Sequence, residues 1–599
     1  MTTIHELLDE YARLAPDMRT KGFYFEKLVQ QFLLADPVSA GLYEDVWLWQ
    51  EWPGREGKPD TGIDLVARRR YSGDLVAIQC KFFSESHTLQ KEDIDSFFTA
   101  SGKQPFAERI VVSTTSKWSK NAEDALEGQQ LPTHRIGLDA FEDSPVEWDL
   151  YSLTSPRRLE LKEQNSLRPH QREALSDVVA GFDESDRGKL IMACGTGKTF
   201  TSLKIAENTV GAGGSVLFLV PSIALLSQTL REWTAQSAVP IRAFAICSDT
   251  KVGKSSEDFR LSDLEFPATT DAAKLIDAAR QGSESGHMTV YFSTYQSIAV
   301  VSEAQKAGLP EFDLVICDEA HRTTGVTLAD DSDSAFVRVH DAGFIRATRR
   351  LYMTATPKIY GEALKSKAKD SSATIASMDD VTLFGPEFHR LGFGEAVERE
   401  LLTDYRVLVL AVSEEAVSGE FQQQFQQNGE LNIDDAARIA GIYNALAKRG
   451  IEGLGEWPAD RAPMRRAVAF SRSIKDSQRV SSLLDENAAL PPSFTADADS
   501  LTLQSRHVDG TMNVLERTRM LDGCPRKSHS NPHERPLSER GRRRAVPRRS
   551  HLPQLPRQPG GCGAERRARD AEVRGEGLRL HHPSDRRARR HRARARTER

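Results

Sequence analysis

The sequence predicts an α/β protein in which a small mixed sheet precedes larger parallel sheets. Residues 62–67 (GIDLVA) and 74–83 (DLVAIQCKFF) are strand-like runs joined by a short turn, which is typical of a hairpin. From residue 166 onward, short apolar runs alternate with amphipathic helical stretches, which is typical of a parallel sheet covered by helices. A break in composition near residue 525 ends this second pattern.

The first segment, residues 1–150, is predicted to be one domain with a mixed sheet and flanking helices. Residues 23–34 (FYFEKLVQQFLL) carry apolar side chains at helical spacing. Beyond the hairpin, residues 110–112 and 135–138 are predicted as further short strands. The polar stretch 151–165 is predicted to be a linker.

The second segment, residues 166–395, contains the clearest parallel-sheet pattern, with predicted strands at 189–193, 216–220, 288–292, 312–317 and 350–353. The third segment, residues 396–525, begins the pattern again, with predicted strands at 406–412 and 467–470 and a helix at 474–484. We therefore expect two parallel-sheet domains, of which the second is incomplete.

Composition excludes several classes of protein. At 599 residues the chain is long enough for several domains. No apolar run approaches the ~20 residues needed to span a bilayer, and the first ten residues are amphipathic and acidic, unlike a signal peptide. The 6 cysteines are scattered without zinc-ligand spacing. We expect a cytoplasmic protein with no membrane partner, no disulfides and no metal cluster.

Residues 193–199 (ACGTGKT) have the GKT core of a phosphate-binding loop. The backbone amides of Gly195, Thr196 and Gly197 are expected to surround the phosphates of a nucleotide. Lys198 is expected to reach the β and γ oxygens, and the Thr199 hydroxyl to bind Mg²⁺.

A second string, residues 318–321 (DEAH), follows the apolar run 312–317. Asp318 at the end of a buried strand is expected to hold the same Mg²⁺, and Glu319 to polarise the attacking water. Either string alone is weak evidence. In this order, each behind an apolar strand, the two strings predict a motor driven by nucleotide hydrolysis, with ATP and Mg²⁺ as its cofactors.

The first hairpin carries a candidate nuclease site. Asp64 and Lys81 fall on adjacent strands, and Gln79 shares a strand face with Lys81 because the two are two residues apart. Phosphodiester cleavage needs a carboxylate to hold Mg²⁺ and a cation near the attacking water, and Glu26 on the preceding helix could complete the metal shell. The alternative is that Lys81 is an exposed strand residue and Asp64 a solvated acid.

GIDLVA followed by AIQCK resembles the Mrr-type branch of the PD-(D/E)xK nucleases, in which Gln commonly replaces the second acid. The resemblance implies that Asp64, Gln79 and Lys81 are catalytic and that Asp64 binds the metal. Because the Gln removes one metal-binding charge, a single Mg²⁺ is expected.

The segment around the loop and the DEAH string resembles a superfamily 2 helicase core with RecA-like domains. The resemblance implies adenine recognition by Gln171 and coupling of the γ-phosphate state to domain movement by His321, Thr354 and Thr356. It also implies contacts with the DNA backbone, which position without reading sequence, from Pro221, Ser222, Thr294 and Gln296.

The order of nuclease and helicase over residues 1 to about 525 resembles the N-terminal part of type ISP restriction-modification enzymes. The resemblance implies ATP-dependent translocation on double-stranded DNA, coupled to Mg²⁺-dependent cleavage. Two alternatives remain open: a repair helicase with a degenerate nuclease domain, and a DNA-binding remnant without catalysis. No NPPY string of a DNA methyltransferase is present.

Residues 526–599 are rich in Arg and contain no Phe, Trp, Tyr, Ile or Met. One interpretation is a disordered basic arm that binds DNA. The other is translation out of frame: a shifted reading of residues 533–546 permits TNARCLSEGVDVP, and one of 563–573 permits VQSVGRVMRK. These strings resemble helicase motifs V and VI, so we expect this chain to lack both and its motor to be impaired.

Overall fold

The computed structural model describes residues 3–405 except 58, 60–61, 85, 127–128, 152–158, 248–266, 282–285, 329–334 and 363–372. It also describes residues 441–442, 445–448, 463–485, 504–509 and 520. The chain divides into two compact units, one of residues 1–403 with 513–516 and one of residues 404–512 with 517–599.

The first 150 residues build a five-stranded mixed sheet in the order β1-β2-β3-β5-β7. The pairs β1-β2 and β2-β3 are antiparallel, whereas β3-β5 and β5-β7 are parallel. The elements of this part are α1 (Ile4–Leu14), α2 (Met18–Ala35), α3 (Pro37–Leu42), β1 (Tyr43–Leu48), β2 (Leu65–Arg69), β3 (Leu75–Lys81), β4 (Thr88–Leu89), α4 (Asp95–Ser101), β5 (Phe106–Ser113), β6 (Lys117–Trp118), α5 (Lys120–Asp124), β7 (Thr133–Ile136) and α6 (Leu138–Asp143).

Both faces of this sheet are covered, as the alternation of side chains along β3 shows. Val76 and Ile78 point into a core shared with α2, whereas Ala77 points into a second core on the opposite face. Helix α2 begins after Asp17, whose side chain accepts a hydrogen bond from the Thr20 amide. The hairpin therefore runs through the centre of the domain.

The next part of the chain builds an eight-stranded sheet in the order β11-β10-β12-β9-β13-β15-β8-β17. All of its pairings are parallel, and β14 and β16 form a separate antiparallel pair. The elements are α7 (Pro169–Glu184), β8 (Arg187–Met192), α8 (Lys198–Thr209), β9 (Ser215–Val220), α9 (Ile223–Gln236), β10 (Ile241–Ile246), β11 (Ala268–Thr269), α10 (Ala272–Arg280), β12 (Met288–Thr294), α11 (Ile298–Lys306), β13 (Phe312–Cys317), β14 (Gly325–Leu328), β15 (Ala347–Thr354), β16 (Ala373–Ala376), α12 (Val381–Phe384), β17 (Glu387–Leu391) and α13 (Phe393–Glu398).

The central strands of this sheet are buried on both faces. On β9, Phe218 points into one core and Leu217 and Leu219 into the other, and all three are fully buried. A parallel sheet with helices on both faces requires such continuous apolar runs. The run 216–220 is therefore apolar at every position.

Helix α3 of the first domain packs on α9 and β10 of the parallel-sheet domain. Val38 is 8 % exposed and belongs to the same core as Leu226 and Leu230 of α9. At the start of α3, Asp36 accepts a hydrogen bond of 2.7 Å from the Ser144 hydroxyl, and its burial raises its pKa. The two domains thus share an apolar interface at α3 within the larger unit.

In the smaller unit, the described residues include the helix α14 (Ile474–Asp485). His507 Nδ1 lies 2.8 Å from the Ser477 hydroxyl of this helix, and the Ser505 hydroxyl donates to that of Ser481 at 3.0 Å.

The predicted α/β class, with a mixed sheet followed by a parallel sheet, is confirmed. One predicted strand is wrong: residues 467–470 are not in a strand, and Val468 and Phe470 are 63 % and 48 % exposed. An apolar run forms a strand only where a neighbour pairs with its backbone, and no such pairing exists for it among the described residues. The predicted strand 406–412 and the tail 526–599 lie outside the described residues.

Part of the predicted linker 151–165 belongs to the first domain. Leu159 is buried in that domain's core, and Leu161 bridges to Val146. The polar composition predicts a linker, but the Leu159 side chain packs in the core of the domain and the backbone of Leu161 pairs with it. The other predicted domain boundaries stay predictions. Within the described ranges, no helix is both long and apolar enough to cross a bilayer.

Candidate active sites

The loop between β8 and α8 has the geometry of a phosphate cradle. Gly195 and Gly197 have φ values of +84° and +86°, in the left-handed region that favours glycine. Helix α8 begins at Lys198, so the amides of its first turn lack helical partners. Lys198 is 2 % exposed and its Nζ donates to the Met192 carbonyl at 3.1 Å, and Thr199 is 6 % exposed. A cation and a helix N-terminus thus meet in one loop, which suits an anion.

Two side chains of helix α7 contact the backbone of this loop. Gln171 Nε2 donates to the Thr196 carbonyl at 3.3 Å, while its Oε1 accepts from the Arg168 amide at 2.9 Å. His170 Nε2 lies 3.0 Å from the same carbonyl, and burial lowers the pKa of His170. Gln171, predicted to recognise adenine, therefore lies directly against the phosphate loop. The role of His170 was missed, although it precedes Gln171 in the chain.

The DEAH string begins at the end of β13. Asp318 is 2 % exposed, and its Oδ1 accepts a hydrogen bond of 3.0 Å from the Glu319 amide. Glu319 has a φ of +49°, a left-handed value that costs about 1–2 kcal/mol for a residue with a Cβ. Its Oε2 lies 3.4 Å from His321 Nδ1. Strain of this kind concentrates at functional sites.

The three predicted coupling residues form one hydrogen-bonded set. His321 Nδ1 lies 3.1 Å from the Thr354 hydroxyl, which donates to the Thr356 carbonyl at 3.1 Å. The Thr356 amide donates back to the same hydroxyl at 3.2 Å. Because the Thr354 proton is committed to Thr356, the proton between His321 and Thr354 belongs to His321 Nδ1.

The strand order brings these groups to one edge of the sheet. Strands β13, β15 and β8 are neighbours, and Asp318, Thr354 and the phosphate loop lie at their carboxyl ends. With about 4.8 Å between neighbouring strands, the three groups span roughly 10 Å, about the length of a triphosphate. Ligands of open α/β sheets bind at this edge.

The predicted DNA contacts lie at the carboxyl ends of two neighbouring strands, β9 and β12. Gln296 is exposed, and its Nε2 donates to the Pro221 carbonyl at 3.4 Å. Ser222 is 2 % exposed and caps α9 by accepting from the Leu225 amide. Thr294 is 4 % exposed and donates to the Ser297 hydroxyl at 3.2 Å. Gln296 is thus accessible to DNA, whereas the Ser222 and Thr294 hydroxyls support the turns.

In the first domain, Asp64 and Gln79 lie at the end of the hairpin. Asp64 Oδ2 accepts from the Cys80 amide at 2.7 Å. Gln79 is 3 % exposed, and its Nε2 donates to the Gly62 carbonyl at 3.0 Å, which fixes the orientation of the amide. Its Oε1 is buried and has no hydrogen-bond partner among the residues that the structure describes. A buried, unpaired oxygen acceptor beside a carboxylate suits a hard cation such as Mg²⁺.

The other two predicted nuclease residues lie close to Cys80. Burial raises the pKa of the Cys80 thiol, the charges of Asp64 and Glu26 raise it further, and Lys81 lowers it. Asp64, Glu26 and Lys81 therefore each lie within electrostatic range of the Cys80 thiol. Alternation along β3 places Cys80 on the α2 face with Glu26, and Gln79 and Lys81 on the opposite face.

Two further features bear on metal binding and on the loop. Within the described residues, no three His, Cys, Asp or Glu side chains cluster as metal ligands. A metal at either site would therefore also use hydroxyl or amide oxygens, as from Thr199 and Gln79.

Trp233 of α9 is fully buried and donates to the Thr199 carbonyl at 3.2 Å. Its sequence context is that of any core tryptophan, so this contact was missed.

Family models match both parts of the chain. Residues 34–158 match a restriction endonuclease family, and residues 164–359 match the res subunit of type III restriction enzymes. Among curated proteins, a probable helicase of African swine fever virus (isolate Pig/Kenya/KEN-50/1950) is 26 % identical over 244 residues, which are 41 % of this chain and 24 % of the viral protein. In the Badajoz 1971 Vero-adapted strain, the match is 26 % over 313 residues, 52 % of this chain and 30 % of the viral protein.

Two solved structures are more similar. The ATP-dependent type ISP restriction-modification enzyme LlaBIII, bound to DNA, is 39 % identical with a TM-score of 0.73, over 88 % of this chain and 34 % of that chain. A nuclease-deletion mutant of the type ISP enzyme LlaGI is 35 % identical with a TM-score of 0.41, over 61 % of this chain and 24 % of that chain. This chain thus spans about a third of LlaBIII. It contains a restriction endonuclease domain followed by a restriction-enzyme helicase domain, and it matches the type ISP restriction-modification enzymes in sequence and fold.

Proposed function

We propose that this chain carries the ATP-driven motor and the Mg²⁺-dependent nuclease of a restriction system acting on double-stranded DNA. The observation that carries the proposal is the alignment of Asp318, Thr354 and the phosphate loop at the ends of three adjacent parallel strands. The match to a type ISP enzyme bound to DNA supports double-stranded DNA as the partner.

In the motor, Lys198 and the first amides of α8 hold the β and γ phosphates. Mg²⁺, held by Thr199 and Asp318, would neutralise charge on the phosphate oxygens. Glu319, which follows Asp318, would orient the attacking water and accept its proton. His321 Nδ1 lies 3.4 Å from Glu319 Oε2 and 3.1 Å from the Thr354 hydroxyl of β15. A movement of Glu319 on loss of the γ-phosphate would therefore reach β15 through His321.

In the nuclease, Asp64 and the free Oε1 of Gln79 are the proposed metal ligands. The metal would supply a charged centre for the scissile phosphate and for the attacking water. Lys81 lies on the same strand face as Gln79 and stabilises the negative charge that develops on the phosphate. Glu26, on the α2 face, adds negative charge that favours cation binding near Asp64.

We also propose that the motor of this chain is impaired. Residues 526–599 replace the segment in which a helicase of this type carries motifs V and VI. An arginine that reaches the γ-phosphate from a second domain contributes about 10³–10⁵ in rate. We therefore expect nucleotide binding by the first motor domain with slow turnover. The gene's nucleotide sequence around codon 525 tests this directly: stop codons throughout the plus-one frame after that point would refute the frame change.

The function is tested with the full chain and two alanine substitutions. Lys198→Ala should abolish Mg²⁺-dependent nucleotide binding and leave nicking of supercoiled DNA intact, because the two sites lie in separate domains. Lys81→Ala should abolish nicking and leave nucleotide binding intact. The exposed lysines Lys103 and Lys274 provide matched controls, one in each domain.

Each outcome assigns a function. Nicking that survives Lys198→Ala and not Lys81→Ala supports an autonomous nuclease. DNA binding without cleavage in Mg²⁺ would instead identify a DNA-binding remnant. Nucleotide binding without nicking would identify a helicase with a degenerate nuclease domain.

A further inference from the structure

Tyr295 lies between two predicted DNA contacts, Thr294 at the end of β12 and Gln296, and its side chain reaches the proposed ATPase site. Its side chain is fully buried, and its hydroxyl donates to the Asp318 carbonyl at 2.8 Å. The ring stacks on Phe336 with 4.9 Å between centroids and 28° between planes. The hydroxyl is therefore held in one place by packing on the ring.

The carbonyl that accepts this hydrogen bond belongs to the Asp318–Glu319 peptide. The amide of the same peptide donates to Asp318 Oδ1 at 3.0 Å. Both polar ends of one peptide group are thus held, the oxygen by Tyr295 and the amide by the carboxylate of Asp318. The orientation of this peptide determines ψ of Asp318 and φ of Glu319.

That orientation is the strained one. Glu319 has a φ of +49°, and a rotation of the preceding peptide would relieve the left-handed conformation. It would also break the bond from the Glu319 amide to Asp318 Oδ1, which orients the Asp318 carboxylate. Without the Tyr295 hydroxyl, the Asp318 carbonyl would be buried with one fewer partner, so the strained peptide would lose part of its support.

The other end of Tyr295 is connected to the predicted DNA surface. Tyr295 is the first residue of a 3-10 helical turn (Tyr295–Ser297) that follows β12. Its chain neighbours are Thr294 and the exposed Gln296. Gln296 in turn donates to the Pro221 carbonyl of the neighbouring strand end. A shift of this turn when DNA binds would therefore move the Tyr295 hydroxyl relative to Asp318.

We propose that Tyr295 is a positioning residue of the ATPase site, which holds the Asp318–Glu319 peptide and transmits the position of the DNA-contacting turn to the magnesium site. This inference rests on the proposed function. It adds a residue that acts through the backbone of Asp318 and touches neither nucleotide nor metal.

The test compares Tyr295→Phe with Tyr291→Phe in the full chain. Tyr291 lies on the same strand, is 5 % exposed, and stacks on Phe244, away from the DEAH string. Binding of fluorescent mant-ADP is measured in Mg²⁺ and in EDTA, each with and without a DNA duplex. Lys198→Ala serves as the variant without a nucleotide site.

In Tyr295→Phe, we expect the nucleotide Kd in Mg²⁺ to rise about three- to tenfold, the change in affinity that corresponds to the loss of one buried hydrogen bond. The Kd in EDTA should be unchanged. We also expect the effect of the duplex on the Kd in Mg²⁺ to shrink by a similar factor. Tyr291→Phe should match the wild type in all four conditions. A general loss of stability would raise the Kd in Mg²⁺ and the Kd in EDTA by the same factor. A change in the ratio of these two Kd values therefore indicates a positioning role and not partial unfolding.

Three results would overturn the inference. One is a Tyr295→Phe variant with the same ratio of Kd values as the wild type. Another is a wild-type Kd that the duplex leaves unchanged, which refutes transmission from the DNA-contacting turn. The third is a wild type that binds no nucleotide, which refutes the proposed motor function as well; the first two leave that function standing.

Discussion

Gly197 is the position in the phosphate loop where the structure predicts the largest effect of one added methyl group. Its φ of +86° is left-handed, which costs an alanine about 1–2 kcal/mol. A Cβ there would lie 2.4 Å from Gln171 Nε2, so the Gln171 side chain would have to leave the Thr196 carbonyl. That lost hydrogen bond costs about 1 kcal/mol, and Gly197→Ala should destabilise the domain by about 2–3 kcal/mol.

Gly211 provides the matched control at the other end of α8. Its φ of +68° carries the same backbone cost, but the nearest atom to an added Cβ is the Glu207 carbonyl at 3.4 Å, an ordinary contact. Gly211→Ala should therefore lose about 1–2 kcal/mol and bind nucleotide like the wild type. Gly197→Ala should also raise the nucleotide Kd at least tenfold, because the loop amides move.

The assay is urea unfolding of both variants, combined with mant-ADP titration. If Gly197→Ala binds nucleotide as tightly as the wild type, the loop does not bind phosphate as proposed. If both variants lose the same stability, the contact between Gln171 and the loop is energetically unimportant.

Three further predictions follow from buried polar groups and the domain contact. Burial lowers the pKa of His340 to about 4, so between pH 6.5 and 4 the unfolded chain binds a proton that the folded chain does not. The free energy of unfolding should therefore fall by up to about 3 kcal/mol as the pH drops from 6.5 to 4. In urea unfolding, His340→Gln should lack this pH dependence. Gln79→Glu places a carboxylate against the Gly62 carbonyl, so thermal unfolding without metal should come earlier, and Mg²⁺ should restore more stability than in the wild type. Val38→Asp buries a charge in the shared core, so calorimetry should show the two domains of the larger unit unfolding in separate transitions.

The sequence predicts the parts of the motor whose residue types are dictated by backbone geometry. Gly195 and Gly197 are recognisable because few other residues adopt their φ values, and the apolar run before Asp318 is recognisable because the strand is buried on both faces. The sequence therefore places Lys198 at the start of a helix and Asp318 at the end of a strand, as the structure has them. These features are local in the chain.

Contacts between distant segments could not be predicted in this way. Trp233 and Tyr295 are typical core aromatic residues in sequence. Their polar atoms reach the Thr199 and Asp318 carbonyls only because α9 and β12 pack beside the loop and the DEAH string. Val38 likewise looks like part of a helix in the first domain, yet it belongs to the core of the next. The Ser222 hydroxyl caps α9, a contact that the sequence does not indicate, and its contact with DNA stays a prediction.

Residues 467–470 (AVAF) have the apolar pattern of a buried strand but do not form one. Such a run needs paired strands on its edges and helices on its faces, yet Val468 and Phe470 are 63 % and 48 % exposed. The proposed frame change accounts for this exposure, because it removes the later strands of the domain. Restoring the frame should then slow hydrogen exchange at residues 467–470 and reduce binding of a hydrophobic dye. Deleting residues 526–599 should leave both unchanged, because a tail without large aromatic side chains offers little apolar surface to cover the run. Faster exchange after the deletion, or equal exchange after the frame is restored, would show that the exposure has another cause.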